Sequence, residues 1–70
     1  MSSGFIITSA DYSKPETFAG FWRWAMILEM AQDRAIAENA PVRVSYLGLC
    51  EDYEVTPEGK KTYLGKVIFD

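Results

Sequence analysis

The amino-acid sequence predicts a single α+β domain over residues 1–70, in which one long helix packs on a small, mostly antiparallel three-stranded sheet in the order β-α-β-β. Three observations support this fold class. The apolar share of 49% and the aromatic share of 14% are typical of a folded chain. A length of 70 residues suits one hydrophobic core. A central segment has helical composition, and the segments on both sides are typical of strands.

The first strand and the helix are predicted from local signals. Gly4 to Ser9 is a β-rich run bounded by small residues, which is typical of a strand. Residues 13–16 (SKPE) have the pattern of a capping box with proline in the first turn, so the helix is predicted to begin there. Helical composition continues to about Glu38. Asn39 then suits a left-handed cap, and Pro41 favours extended backbone before it.

Beyond the helix the period of the apolar residues changes to that of a strand. Alternation predicts a strand from Val42 to Val55, with Gly48 as a bulge or twist within it. Residues 56–59 (TPEG) have proline and glycine at the positions that a turn favours. The partner strand is predicted over residues 62–69.

The predicted hairpin also gives a register and a strand order. A turn centred on residues 57–60 puts Glu51 opposite Lys66 and Tyr53 opposite Leu64. The preferred order sets the first strand beside the last, which makes the sheet antiparallel throughout. A parallel pairing of the first strand with the second, through a right-handed crossover, is the alternative.

The composition argues against several kinds of chemistry. The net charge of −3, from 10 acidic and 7 basic residues, is not that of a direct nucleic-acid binder. The chain has no histidine, which removes the commonest general base and most zinc sites. It has no glycine-rich phosphate loop and no cofactor motif either. We therefore expect a protein that is not an enzyme and that uses neither a metal nor a cofactor.

The same features give an expected location. Cys50 is the one cysteine, so an internal disulfide cannot form, which fits a reducing compartment. The first ten residues lack the positive charge and the long apolar run of a signal peptide. No apolar run is long enough to span a bilayer, so the expected location is the cytoplasm, without membrane contact.

Two lines of apolar residues run along the predicted helix. The broader one is expected to face the sheet as the core stripe, and it comprises Phe18, Phe21, Trp24, Ala25, Leu28, Ala31, Ala35 and Ile36. The second line consists of Trp22, Met26 and Met30, with Glu29 and Asp33 beside it. One three-stranded sheet cannot cover both. Either another part of the chain folds over the second line, or the line is a contact surface for a partner or for a second copy.

Four carboxylates form the other candidate surface. They are Glu51, Asp52, Glu54 and Glu58, on the second predicted strand and in the turn that follows. A solvated strand whose charges block aggregation is one interpretation, and a surface that pairs with a basic partner is the other. A catalytic carboxylate pair or a metal site is disfavoured, because no acid–base partner and no calcium-loop spacing accompanies them.

A very short, acidic, histidine-free αβ chain that opens directly with its first strand resembles the small phage-encoded inhibitors, in particular anti-CRISPR proteins. The resemblance is one of overall build across the whole chain and involves no sequence motif. It implies a stoichiometric, non-enzymatic inhibitor that docks on a bacterial CRISPR effector complex in the host cytoplasm. Such an inhibitor would block DNA recognition or nuclease recruitment, for example by occupying a basic nucleic-acid-binding groove.

The alternative function is that of a small self-associating structural or adaptor subunit. In that case the line of Trp22, Met26 and Met30 would form a contact between two copies around a twofold axis. Such a homodimer is also compatible with an inhibitor.

Overall fold

A computed structural model of the protein describes residues 4–20, 23–48 and 51–66. In these ranges one helix and five strands follow one another along the chain: β1 (Gly4–Ser9), β2 (Glu16–Ala19), α1 (Trp24–Glu38), β3 (Val42–Tyr46), β4 (Glu51–Val55) and β5 (Lys61–Lys66). The strands form one antiparallel sheet in the order β2-β1-β3-β4-β5. The predicted α+β class and the antiparallel sheet are confirmed. The prediction of three strands is wrong.

The helix does not begin at residues 13–16, where the capping-box pattern predicted its start. Instead, the Asp11 carboxylate accepts hydrogen bonds from the backbone N–H of Ser13 at 3.0 Å and from its hydroxyl at 2.5 Å. The chain then enters β2, where the Phe18 ring stacks on Phe5 of β1 with centroids 4.8 Å apart. Pairing with a neighbouring strand, and the aromatic contact it brings, outweighs the local capping signal.

The end of the helix is as the sequence predicts. Asn39 has left-handed backbone, with φ of 55°. The N–H of Ala40 donates to the carbonyl of Ala35 at 3.1 Å, and the N–H of Asn39 donates to that of Ile36 at 3.2 Å. These two bonds form a Schellman motif, which satisfies the last carbonyls of the helix. Within the described residues, α1 is neither long enough nor apolar enough to cross a membrane.

The predicted strand from Val42 to Val55 is two strands that pair with each other. Val42 of β3 lies opposite Val55 of β4, and Tyr46 lies opposite Glu51. Gly48 consequently belongs to the turn between them and not to a bulge within one strand. The chain reverses between β3 and β4, because their pairing brings the apolar residues of the two strands together on one face of the sheet.

The turn after β4 is confirmed. The N–H of Gly59 donates to the carbonyl of Thr56 at 2.9 Å, and Gly59 has φ of 87°, which glycine adopts without strain. The N–H of Thr56 in turn donates to the carbonyl of Lys60 at 3.0 Å. This is a three-residue hairpin loop in which a turn precedes a left-handed glycine.

Strand β1 lies between β2 and β3 and is antiparallel to both. The preferred position beside the last strand is therefore wrong. The alternative is correct in pairing β1 with the segment that begins at Val42, but wrong in making that pairing parallel. The side chains of β1 explain its placement: Phe5 and Ile7 are buried. A strand with buried side chains is best placed inside the sheet, where both of its edges are paired. Strand β2, which forms a hairpin with β1, pairs with one edge, and β3 pairs with the other.

The core lies between α1 and one face of the sheet. Its buried apolar residues are Phe5, Ile7, Ile27, Ala31, Ala35, Val42, Val44 and Val55. The prediction of Ala31 and Ala35 is confirmed, and Trp24 and Leu28 pack partly buried against this core.

The predicted core stripe is wrong in three respects. Ala25 and Ile36 are exposed, whereas Ile27, which the stripe did not contain, is buried. The stripe also counted Phe18, which lies on β2, and Phe21, which is outside the described residues. Because α1 begins at Trp24, Phe18 does not belong to a helix stripe, although it packs against the core from β2.

Candidate functional site: an aromatic surface beside the last strand

The register between β4 and β5 determines which aromatic residues meet. The predicted pairing of Glu51 with Lys66 is confirmed. Tyr53, however, lies opposite Tyr63 and not opposite Leu64, so that part of the prediction is wrong. A β-bulge shifts the register between these two pairs, and Leu64 is the extra residue.

The bulge has a local cause in the sequence. Gly65 lies opposite Asp52 and has φ of 109°, a conformation that residues with a side chain rarely adopt. A glycine inside a strand is a recognised sign of a bulge. The bulge changes only the pairs beyond it, so Lys66 lies opposite Glu51, while Tyr63, on the turn side of the bulge, lies beside Tyr53 on the helix side of the sheet.

Four aromatic residues come together on that side, and we call them the aromatic surface: Trp24, Tyr46, Tyr53 and Tyr63. The rings of Trp24 and Tyr53 meet edge to face with centroids 4.9 Å apart, and those of Trp24 and Tyr46 do so at 5.8 Å. The Tyr63 ring lies 5.3 Å from that of Tyr53. Tyr63 is 53% exposed, and the other three are half-buried. The rings are therefore fixed by one another while remaining accessible.

Charged groups border the aromatic surface. The Lys61 Nζ atom lies 5.1 Å from the ring centroid of Trp24 and 5.4 Å from that of Tyr53. The Tyr53 hydroxyl donates a hydrogen bond of 2.8 Å to Glu51 Oε2. This bond raises the pKa of Tyr53 above its usual value, and burial together with the nearby Glu51 and Tyr63 adds to the effect. The Tyr53 phenol thus stays protonated throughout the physiological pH range.

A second polar group of contacts centres on Arg34, whose side chain is 11% exposed. It donates to five oxygen atoms: the carbonyl oxygens of Ile7 (2.9 Å) and Lys14 (2.7 Å), Ser9 Oγ (3.3 Å), Glu16 Oε1 (3.1 Å) and Glu38 Oε2 (2.7 Å). These bonds join α1 to β1, to β2 and to the loop between them.

The shallow cleft beside this group holds about 440 Å³ and is lined by Lys14, Pro15, Glu16, Arg34, Ala37 and Glu38. The hydrogen bond from Arg34, and then that from Ser9, lowers the pKa of Glu38. Because the guanidinium is already saturated with protein oxygens, it has little capacity left to bind an anion. The Arg34 contacts are thus structural.

The position of Asp52 corrects its assignment to a partner-facing acidic surface. Asp52 is 2% exposed, on the sheet face that points away from the helix. Its Oδ2 accepts a hydrogen bond of 3.3 Å from the Tyr12 hydroxyl, which itself accepts one of 3.0 Å from Arg43 Nη1. The Arg43 guanidinium also lies 4.9 Å from the centre of the Tyr12 ring. Asp52 therefore holds the loop between β1 and β2 against the sheet.

The other three predicted carboxylates lie in different surroundings. Glu51 is on the helix side of the sheet, where it accepts the Tyr53 hydrogen bond. Glu54 is half-buried on the opposite side, and Glu58 is exposed in the turn. The sheet therefore does not bring the four predicted acidic residues together on one surface.

The two described residues of the predicted second line of the helix, Met26 and Met30, differ in their exposure. Met26 is 47% exposed, but Met30 is half-buried and packs against the core. Trp22 lies outside the described residues. Glu29 and Asp33, the two acidic residues predicted beside this line, are exposed.

The sequence predicted other surroundings for two residues of the aromatic surface, Trp24 and Tyr53. Trp24 was expected in the core stripe, and Tyr53 was expected opposite Leu64. Gly65 was the signal that could have corrected the register, because an interior strand glycine indicates a bulge.

Fold and site together define a small α+β domain with an aromatic surface on one side of its sheet. Within the described part of the chain, no three potential metal ligands lie close enough to hold an ion. Comparison with models of known protein families, with curated proteins and with solved structures finds no match to this chain.

Proposed function

We propose that this protein acts by binding another protein, without catalysis, and that the aromatic surface is its contact site. The observation that carries the proposal is the continuous set of rings from Tyr46 through Trp24 and Tyr53 to the exposed Tyr63. Trp and Tyr are the residues most enriched at the energetic centre of protein interfaces. They offer a large apolar area together with a polar group at the edge.

The rigidity of this surface supports the same proposal. Three of the rings come from paired strands, and the fourth comes from the first turn of α1. Edge-to-face packing restrains Trp24 and Tyr53 before any partner arrives. Little side-chain freedom is then lost on binding, which favours affinity.

The more specific part of the proposal is that the partner is a bacterial defence complex, as the resemblance to anti-CRISPR proteins implies. The exposed carboxylates of Glu29, Asp33 and Glu58 support it, because they offer negative charge to a basic groove. Asp52 takes no part, since its carboxylate is buried.

A pair of matched substitutions tests the contact site. Tyr63→Asp and Ile36→Asp each place a carboxylate at an exposed apolar position, with 53% and 56% of the residue accessible. Neither position is in the core, so both variants should fold. We expect Tyr63→Asp to abolish affinity capture of the partner from bacterial lysate and Ile36→Asp to retain it. Equal capture by both variants would rule out the aromatic surface as the contact site.

The identity of the partner needs a separate experiment. Purified CRISPR effector complexes of several types are assayed for DNA binding and cleavage with increasing amounts of the protein. The proposal predicts stoichiometric inhibition of at least one complex and loss of that inhibition in Tyr63→Asp. If no complex is inhibited, the partner belongs to another class of protein, while the capture experiment still decides the contact site.

A further inference from the structure

The rings of Trp24 and Tyr53 meet at 62° and form an open corner. The Lys61 ammonium lies in this corner, 5.1 Å from one ring centroid and 5.4 Å from the other. Both distances are within the range of about 6 Å over which a cation is attracted to an aromatic face. The corner thus has the size and the geometry to hold a cation between two rings.

The electronic character of Tyr53 reinforces this preference. Its hydroxyl donates to Glu51 Oε2 at 2.8 Å, and a phenol that donates to a carboxylate is more electron-rich than a free phenol. The Glu51 charge adds negative potential on the same side of the sheet. Both effects favour a cation at the ring face over a neutral group of the same shape.

Lys61 is held loosely in the corner. Its side chain is exposed, and among the residues that the structure describes no carboxylate lies within ion-pair distance of its ammonium. Arg43 provides a contrast, because its guanidinium contacts the Tyr12 ring and also donates a hydrogen bond to the Tyr12 hydroxyl. The Arg43 contact is therefore part of the fold, whereas Lys61 can leave without breaking another described bond.

We propose that the corner between Trp24 and Tyr53 is a binding site for a cationic side chain of the partner, an arginine or a lysine, including methylated lysine. Lys61 is the resident occupant, and the partner's cation replaces it. This inference rests on the proposed function, since it names the chemical group that the aromatic surface takes. Aromatic corners select alkylated ammonium groups because such ions lose little hydration on entry.

The test uses tetramethylammonium as the probe and 3,3-dimethylbutanol as its neutral counterpart of similar shape. Binding to the full chain is followed by NMR at the Trp24 indole N–H, which is assigned by its loss in Trp24→Phe. We expect saturable binding of tetramethylammonium in Lys61→Ala, about fivefold tighter than in the wild type because the resident cation is gone. Lys60→Ala removes the neighbouring exposed lysine and should bind as the wild type does.

Two results would overturn the inference: no saturable shift in Lys61→Ala, or equal binding of the neutral alcohol. The outcome is separable from that of the proposed function. If Tyr63→Asp loses the partner while Lys61→Ala does not bind the cation, the contact site stands and the cation site is wrong. If the cation binds but Tyr63→Asp captures the partner as well as the wild type does, the corner binds cations, but the proposed contact site is wrong and so is the assignment of the partner's cation to this corner.

Discussion

The Nη1 atom of Arg34 lies 2.9 Å from the carbonyl oxygen of Ile7, and this bond ties the middle of the helix to the first strand. The same side chain reaches the loop carbonyl of Lys14 at 2.7 Å. One planar cation thus ties the helix both to the first strand and to the loop that follows this strand. A guanidinium suits this role because its donors point in fixed directions within one plane.

Replacing Arg34 with alanine should lower the free energy of unfolding by about 2–4 kcal/mol, because five acceptors, including the half-buried carbonyl oxygen of Ile7, lose a charged donor at once. Arg34→Lys should recover only part of the loss, since an ammonium cannot reach all of these acceptors together. Urea denaturation measures both changes. Arg23→Ala, which removes an exposed arginine just before the helix, is the control and should change stability little. An equal effect of the two alanine variants would contradict the structural role of Arg34.

The buried Asp52 should matter for stability more than for binding. Asp52→Ala is expected to cost about 2–4 kcal/mol, because it removes the acceptor of the Tyr12 hydroxyl and leaves a polar site in the sheet. Tyr12→Phe, which leaves the buried Asp52 carboxylate without this donor, should cost about 1.5–3 kcal/mol. Thermal or urea unfolding checks both values, with Glu58→Ala as the exposed control. If Asp52→Ala were as stable as Glu58→Ala, the carboxylate would have no part in holding the loop.

The bulge at Leu64 should depend on the handedness of residue 65. With φ of 109°, Gly65 occupies a region that strains an L-residue but suits a D-residue. A chemically synthesised chain with L-alanine at this position should lose roughly 1–3 kcal/mol of stability. The D-alanine chain, identical in composition, should match or exceed the glycine protein. Equal stability of the two alanine chains would mean that the bulge does not require this backbone conformation.

Tyr53 should give the aromatic surface a dependence on alkaline pH. Its pKa is raised in the folded protein chiefly by the hydrogen bond to Glu51, so the unfolded chain loses this proton first as the pH rises. The resulting contribution to stability is complete below the ordinary tyrosine pKa of 10.0 and is lost as the pH rises through the higher folded value. NMR titration of the Tyr53 ring measures the shift directly. In Glu51→Gln the pKa should move back towards its ordinary value, and an unchanged pKa would assign the shift to burial instead.

Some parts of this fold can be predicted from short stretches of sequence, because interactions between neighbouring residues determine their backbone conformation. Asn39 ends the helix with left-handed backbone, and the sequence TPEG forms the expected turn. In both cases the residues involved are neighbours in the chain, and few other conformations satisfy their backbone groups. The predicted hairpin partner of Glu51 is correct for a different reason: next to the turn the register differs from the prediction by one residue, and the bulge at Leu64 restores it at Glu51.

Other parts depend on contacts that no local pattern reveals. Residues 13–16 have a good capping pattern, yet Glu16 enters a strand and its carboxylate contacts Arg34. The stacking of Phe18 on Phe5 joins two segments, and no local sequence pattern predicts that these segments pair. The aromatic surface required the same kind of knowledge, because the length of the loop between Thr56 and Lys60 decides that Tyr63, and not Leu64, meets Tyr53.

The strand order has a consequence for synthesis on the ribosome. Strand β1 can pair with β2 as soon as both have emerged, but its other edge has to wait for β3, which follows the whole helix. Until Val42–Tyr46 leaves the exit tunnel, the nascent hairpin keeps Phe5 and Ile7 uncovered beside an unpaired edge. Such an edge pairs readily with other chains. A ribosome that stalls between α1 and β3 would therefore hold this protein in its most aggregation-prone form.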